Sequence, residues 1–298
     1  MGRIVVGVDG SEHGRRALVW AHHEAGLRGD DLTAVLAWGL FDQLHVGGGA
    51  SFDPDYGPTD ATAALDATIA DTLGADAAAE VRKEAVCDLP ARALLDAAHD
   101  ADLLVVGPRG RGELRELMLG SVTQACLHHA RCPVAVVRAS DQQAAPKAAG
   151  ADQRVVVGVD GSDDSAHALR WALVDARVRG AVAAVVHAWH PPYSLSFSAA
   201  AVDFPAFEDA ATRLLDRVVD AVEPEFRDVP IERVLVSGSP TDALLGAAQD
   251  AEVVVVGGRG VGGFRGLLLG SVSQQLAHHA PCPVVVVPSA AARSARSS

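Results

Sequence analysis

The chain has 298 residues, long enough for two ordinary domains that each bury a core. Its composition, 49% hydrophobic and 21% charged, is that of a globular rather than a disordered protein. A net charge of −13 argues against nucleic acid and anionic membrane as partners, because both need a surplus of Lys and Arg.

Residues 4–8 read as a β-branched strand, and a helix of roughly 16 residues follows with Ser11 near its N-cap. Residues 32–37 form a second strand. Residues 41–58 are a long loop containing Gly47, Gly48 and Gly49, and a second helix starts near Thr59. A third strand covers 81–87, and Pro90 opens a third helix at its first turn. Residues 103–106 are a fourth strand. A glycine-rich loop, a helix from Gly120–Ser121 and a last strand at 134–137 complete this half. Residues 140–153, rich in Ala and Gln without apolar period, read as a linker. The same order recurs over 154–289, where Ser239 and Pro240 start the third helix, and 290–298 is a small, polar, flexible tail. Continuous Val-rich strands alternating with helices predict an α/β fold: a parallel sheet with helices on both faces.

No apolar run approaches the ~20 residues of a membrane helix. The opening strand leaves no room for a signal peptide, so a cytoplasmic location is expected. Cys87, Cys126, Cys132 and Cys282 form no CxxC pair and no zinc spacing, and read as reduced, mostly buried thiols.

The two halves repeat one another at an offset of about 150 residues. VVGVDGS begins at Val5 and again at Val156. Trp20 and Trp38 correspond to Trp171 and Trp189. LGSV begins at Leu119 and Leu269, and HHAxCPV begins at His128 and His278. This is a whole-domain duplication, with domains at 1–139 and 154–289.

The loop after each fourth strand carries the chemistry. The first half reads Gly107-Pro108-Arg109-Gly110, nine residues, then Gly120-Ser121. The second reads Gly257-Gly258-Arg259-Gly260, nine residues, then Gly270-Ser271. Glycines let backbone N–H groups approach an anion and allow positive φ. A helix beginning at the last glycine points its unpaired N–H groups into the same space. A single copy is as well explained by a surface loop with a helix cap. Two copies at one spacing, each at the carboxyl end of a strand, favour a phosphate site. Arg109 and Arg259 fit either phosphate contact or plain solvated loop positions. Pro108 lacks a donor that Gly258 has, which makes the second site the expected tighter one.

G-x2-G-x9-G-[ST] after a fourth strand resembles the ATP-binding signature of the universal stress protein family. The VVGVDGS opening and the HAxCPVxVV ending resemble that family too, and together they cover nearly both halves. The resemblance implies two tandem Rossmann-like domains, each a five-stranded parallel sheet in order 3-2-1-4-5. It implies ATP, with Mg²⁺, held by Gly107, Gly110, Gly120 and Ser121 in the first half and by Gly257, Gly260, Gly270 and Ser271 in the second. Val122 and Val272 would add backbone donors. Asp9 and Asp160 would face the ribose or adenine, against the plain alternative of a turn Asp before Gly. Trp38 and Trp189 fit either adenine stacking or the core. In family dimers the fifth strands often pair, so a pseudo-dimer within the chain is expected, with a homodimer as a further option.

No G-x-G-x-x-G follows the first strand and no G-x-x-x-x-G-K-[ST] occurs. Adjacent histidines (His22-His23, His128-His129, His278-His279) face different directions on a helix, which disfavours a shared metal. His129 shares a stripe with Val122, Ala125 and Cys126 and reads as a core histidine. No catalytic constellation emerges. The expected function is an ATP-binding stress-response module with at most slow hydrolysis. The alternative is a slow ATPase or a nucleotidyl- or phosphotransferase in the same pocket.

Overall fold

The computed structural model describes residues 1–39, 55–110, 119–138, 153–190, 204–260 and 269–289. The expected linker (but for Gln153), the tail, the loop with Gly47, Gly48 and Gly49, and the interiors of both glycine-rich loops lie outside the described residues. The chain divides into two compact units, one within Met1–Pro146 and one within Lys147–Ser289.

In the first unit the valine-rich runs form β1 (Arg3–Gly7), β2 (Asp31–Trp38), β3 (Arg82–Cys87), β4 (Leu103–Val106) and β5 (Val134–Val136). They alternate with α1 (Glu12–Arg28), α2 (Pro58–Leu73), α3 (Ala75–Glu80), α4 (Pro90–Ala97) and α5 (Ser121–His129). The second unit has β6 (Arg154–Gly158), β7 (Val182–Trp189), β8 (Ile231–Ser237), β9 (Val253–Gly257) and β10 (Val284–Val287). Its helices are α6 (Asp163–Arg179), α7 (Phe204–Asp220), α8 (Pro240–Ala247) and α9 (Ser271–His279).

Within each unit every strand pairing is parallel, and the orders are β3-β2-β1-β4-β5 and β8-β7-β6-β9-β10. This is the 3-2-1-4-5 order that the resemblance implied. β1 lies between β2 and β4, with Ile4, Val5 and Val6 opposite Leu103, Leu104 and Val105. β6 stands the same way against β9. The chain leaves these two strands in opposite directions, so their carboxyl ends border the crevice where open α/β sheets take ligands. Both faces of the central strands are covered. Every residue of β4 and β9 is buried, which is why they are apolar throughout rather than alternating.

Small residues let α1 lie close to the sheet: Ala17, Leu18, Ala21 and Ala25 are buried, at helical spacing. The Ser11 hydroxyl caps α1 by accepting from Gly14 N–H at 3.1 Å, and Ser162 caps α6 from Ser165 N–H at 3.2 Å. Gly29 and Gly180 end these helices with φ of 67° and 63°. Each helix also carries a buried ion pair that periodicity alone does not reveal. Arg28 Nε lies 2.7 Å from Glu24, and Arg179 Nε lies 2.7 Å from Asp175.

Two expectations change. The second helix of the first unit is broken at Gly74, whose φ of 84° admits the short α3. His129 is exposed, not core. The buried face of α5 runs through Thr123, Cys126 and Leu127 to Ala130, its C-cap, a stripe turned by one residue from the one expected. Of the cysteines, Cys126, Cys132 and Cys282 are buried and Cys87 is exposed, and none of the four is in a disulfide. Burial, and then Cys132, push the Cys126 thiol up to about 12.

Candidate functional site

The site begins where β1 and β6 end. Gly10 and Gly161, with φ of 76° and 83°, turn the chain into the first helix. In that turn Asp9 Oδ1 accepts from Ser11 N–H at 3.0 Å and from the Ser11 hydroxyl at 2.6 Å. Asp160 Oδ1 accepts from Ser162 at the same two distances. One carboxylate oxygen is therefore committed to the turn, the plain role that the sequence left open. The other oxygen is turned to the glycine-rich loop. A Cβ on Gly110 would stand 2.6 Å from Asp9 Oδ2, and a Cβ on Gly260 would collide with Asp160 Oδ2.

The remaining loop glycines are also explained by close approach. A Cβ on Gly107 would lie 3.0 Å from His13 Cβ, and one on Gly257 would lie 2.8 Å from the Asp164 carbonyl carbon. The first glycine thus seats the first helix against the fourth strand. None of Gly107, Gly110, Gly120, Gly257, Gly258, Gly260 and Gly270 has a positive φ. The expected left-handed conformations are absent here, and the turn glycines Gly10 and Gly161 hold them instead.

The two ends of each loop are pinned together. Gly120 N–H donates to the Pro108 carbonyl at 2.8 Å, and Gly270 N–H donates to the Gly258 carbonyl at 2.7 Å. The Thr123 hydroxyl donates to the Gly107 carbonyl at 2.7 Å, and the Ser273 hydroxyl donates to the Gly257 carbonyl at 2.7 Å. Sequence reasoning missed Thr123 and Ser273. Their signal was a hydroxyl kept at the same place in both copies, LGSVT and LGSVS. The Gly258 N–H donates to the Val287 carbonyl at 2.8 Å. The donor that Pro108 lacks is thus a link to the neighbouring strand rather than a ligand donor, and it gives no reason for a weaker first site.

Ser121 and Ser271 open α5 and α9, with Gly120 and Gly270 as N-caps that offer no side chain. The first-turn N–H groups, those of Val122 and Val272 included, have no carbonyl partner inside their helix. In the second unit they border a cavity of about 490 Å³. Asp160, Gly257, Gly260, Gly270, Ser271 and Val272 all line it. Val186, Ala188, Pro240 and Leu244 give it an apolar wall. Trp189 is not among the lining residues, and Trp38 in the first unit packs edge-on against Tyr56 at 6.0 Å between centroids. Arg259 lines the cavity, and its Nε stands 3.6 Å from Asp164 Oδ2.

The first unit brings Asp9, Gly107, Gly110, Gly120, Ser121 and Val122 to equivalent positions, with changes of chemistry beside them. His13 stands where the second unit has Asp164. Partial burial, then Arg109, Arg16 and Arg138, push His13 below the ordinary histidine value, while Asp9 pulls the other way. Burial, and then Arg109, hold Arg138 below the ordinary arginine value. Among the described residues no group of three or more His, Cys, Asp or Glu could hold a metal ion.

Comparison with known proteins agrees with this layout. The Universal stress protein family matches the chain twice, over residues 1–138 and 153–288. A universal stress protein of Mycobacterium tuberculosis is 33% identical over 290 residues, covering 95% of this chain and 96% of the relative. One from Mycolicibacterium smegmatis is 33% identical over 299 residues, covering 95% and 96%. A solved universal stress protein from Archaeoglobus fulgidus shares the fold at a TM-score of 0.62 and 18% identity, covering 96% of this chain and 98% of that one.

Proposed function

This chain belongs to the universal stress protein family, and we propose that it binds ATP in both units as a nucleotide-dependent regulatory module of a stress response. One observation carries the reading. The residues singled out by motif alone in the second half converge on a single cavity, together with an apolar wall suited to a flat base. Helix N-terminal N–H groups, the Ser271 hydroxyl and Arg259 supply donors for phosphate oxygens. Asp160, whose Oδ2 lies toward Gly260, would face a ribose hydroxyl or the adenine edge. Mg²⁺ fits as a companion of the phosphates, held by their oxygens and water, since among the described residues no carboxylate cluster stands ready for it.

Holding the nucleotide is favoured over turning it over. The carboxylate that could serve as a base is tied by Oδ1 to the turn, and among the described residues no histidine lines the cavity. Among the described residues no helix is long and apolar enough to cross a membrane. We assign the chain to the cytoplasm on this reading.

Mass spectrometry of nucleotide released from freshly purified protein tests the proposal, followed by a single-turnover assay. Retained, unhydrolysed ATP is the expected result. Rapid release of ADP or AMP would make the chain an ATPase or transferase. Failure to bind any adenine nucleotide would overturn the proposal.

A further inference from the structure

The peptide that leads into Asp160 is held on both edges in the second unit. Its carbonyl belongs to Val159 and its N–H to Asp160, and the two share one rigid plane. The Val159 carbonyl lies 2.8 Å from His187 Nδ1. A carbonyl can only accept, so Nδ1 carries the proton and donates. The Asp160 N–H donates to the Ser165 hydroxyl oxygen at 3.3 Å, and that hydroxyl gives its own proton to the Ser162 carbonyl at 2.9 Å. The Val159 N–H donates to the Val186 carbonyl at 2.9 Å, so two adjacent residues of β7 grip Val159 at both of its polar groups. His187 is buried and stands between Val186 and Ala188, which line the cavity as Val159 does. Successive strand residues face opposite sides, so His187 reaches the cavity through Val159 rather than by lining it.

The first unit keeps the strand bond, with Val8 N–H donating to the Val35 carbonyl at 2.9 Å. It has Leu36 where β7 has His187, two residues before the tryptophan that ends each strand, and Gly14 where α6 has Ser165. Leucine carries no donor and glycine no hydroxyl, so neither of the two side-chain bonds can form there. Two separate differences between the copies thus bear on one peptide plane, the one next to the aspartate. We propose that His187 is a positioning residue for nucleoside recognition in the second unit. With Ser165 it fixes the peptide before Asp160, and so the direction in which the carboxylate meets the sugar or base. A site already in its bound geometry loses less freedom on binding. The second unit is then the tighter nucleoside site, and its advantage belongs to the nucleoside end of the ligand rather than to the phosphates. The inference rests on the nucleotide-binding reading above.

Calorimetric titration of the full chain with adenosine, ATP and inorganic tripolyphosphate tests it. Wild type should show two classes of adenosine site about three- to tenfold apart, the reach of one modest hydrogen bond. His187→Leu installs the first unit's residue and should merge the classes by weakening the tighter one. His187→Asn keeps an N–H donor close to the place of Nδ1 and should preserve the gap, a rescue that a purely structural role would not require. Ser165→Ala should narrow the gap, and it takes the place of His187→Leu if that variant does not fold. Tripolyphosphate should bind every variant as it binds wild type. The inference is overturned by a single adenosine class in wild type, or by a gap that survives His187→Leu or its replacement. Equal losses in His187→Asn and His187→Leu, a parallel loss of tripolyphosphate affinity, or ATP binding without adenosine binding also overturn it. All of these leave nucleotide binding intact. Failure of both adenosine and ATP to bind overturns both readings.

Discussion

At the residue scale, Gly260 and Asp160 act as one unit, because any side chain at 260 meets Asp160 Oδ2. Gly260→Ala should therefore displace the carboxylate and weaken nucleoside binding, and the loss should shrink when Asp160→Ala is already present. A double-mutant cycle on adenosine affinity measures this coupling. Additive losses would mean that the glycine serves the phosphates alone. Ser271→Ala is simpler. It removes one hydroxyl at the cavity and should cost about 1.5–3 kcal/mol of ATP affinity, or about ten- to a hundredfold. His13 brings a pH dependence. Its proton affinity in the empty fold lies below the ordinary 6.5, facing Arg16 on its own helix, Arg109 on the loop, Arg138 beyond β5, and Asp9. Without ligand, its contribution to stability is present above that value and lost as pH falls through the lowered one. A bound polyphosphate reverses the sign by favouring the imidazolium. ATP binding at the first unit should thus take up a proton and tighten as pH falls, relative to the second unit. His13→Asn should flatten the difference in calorimetry across buffers.

At the element scale, strands and their order were legible because a doubly covered parallel sheet leaves uninterrupted valine runs. Glycine and serine mark the turns between them. The candidate site was legible for the same reason, since its residues fall in short motifs at strand ends and occur twice. What escaped was cross-element chemistry. Neither the Thr123 bond to Gly107 nor the role of Gly107 against His13 can be read from one segment. The face of α5 was misjudged because a helix of nine residues has too few apolar positions to fix its phase to one residue. The buried pairs Glu24–Arg28 and Asp175–Arg179 also escaped, because i,i+4 charges usually mark a solvated face. Burial changes their weight. Asp175 is fully buried, so Asp175→Ala breaks a buried ion pair and should cost about 3–5 kcal/mol in urea unfolding. Replacing both residues by apolar ones of similar volume should recover most of that loss.

At the scale of the whole molecule, duplication gives one chain two copies of the candidate site with the same construction and separate residues. Saturating ATP should therefore bind with a stoichiometry approaching two per chain. Gly110→Glu and Gly260→Glu each place a carboxylate between the aspartate and the loop, so each should remove one site by steric and electrostatic exclusion. The stoichiometry should fall from two to one in either variant and to none in the double variant. The folds should survive, because both glycines lie on loops beyond β4 and β9 rather than among the buried valines. Retained helical circular dichroism checks that point. Melting gives an independent readout, since ATP at about 100 times its Kd stabilises the unit that binds it by ~2.7 kcal/mol. Each single variant should keep the ATP-dependent shift of its intact unit and lose the other. A double variant that is folded and keeps the full shift would show that ATP binds elsewhere, and the glycine-rich loops would then be structural turns.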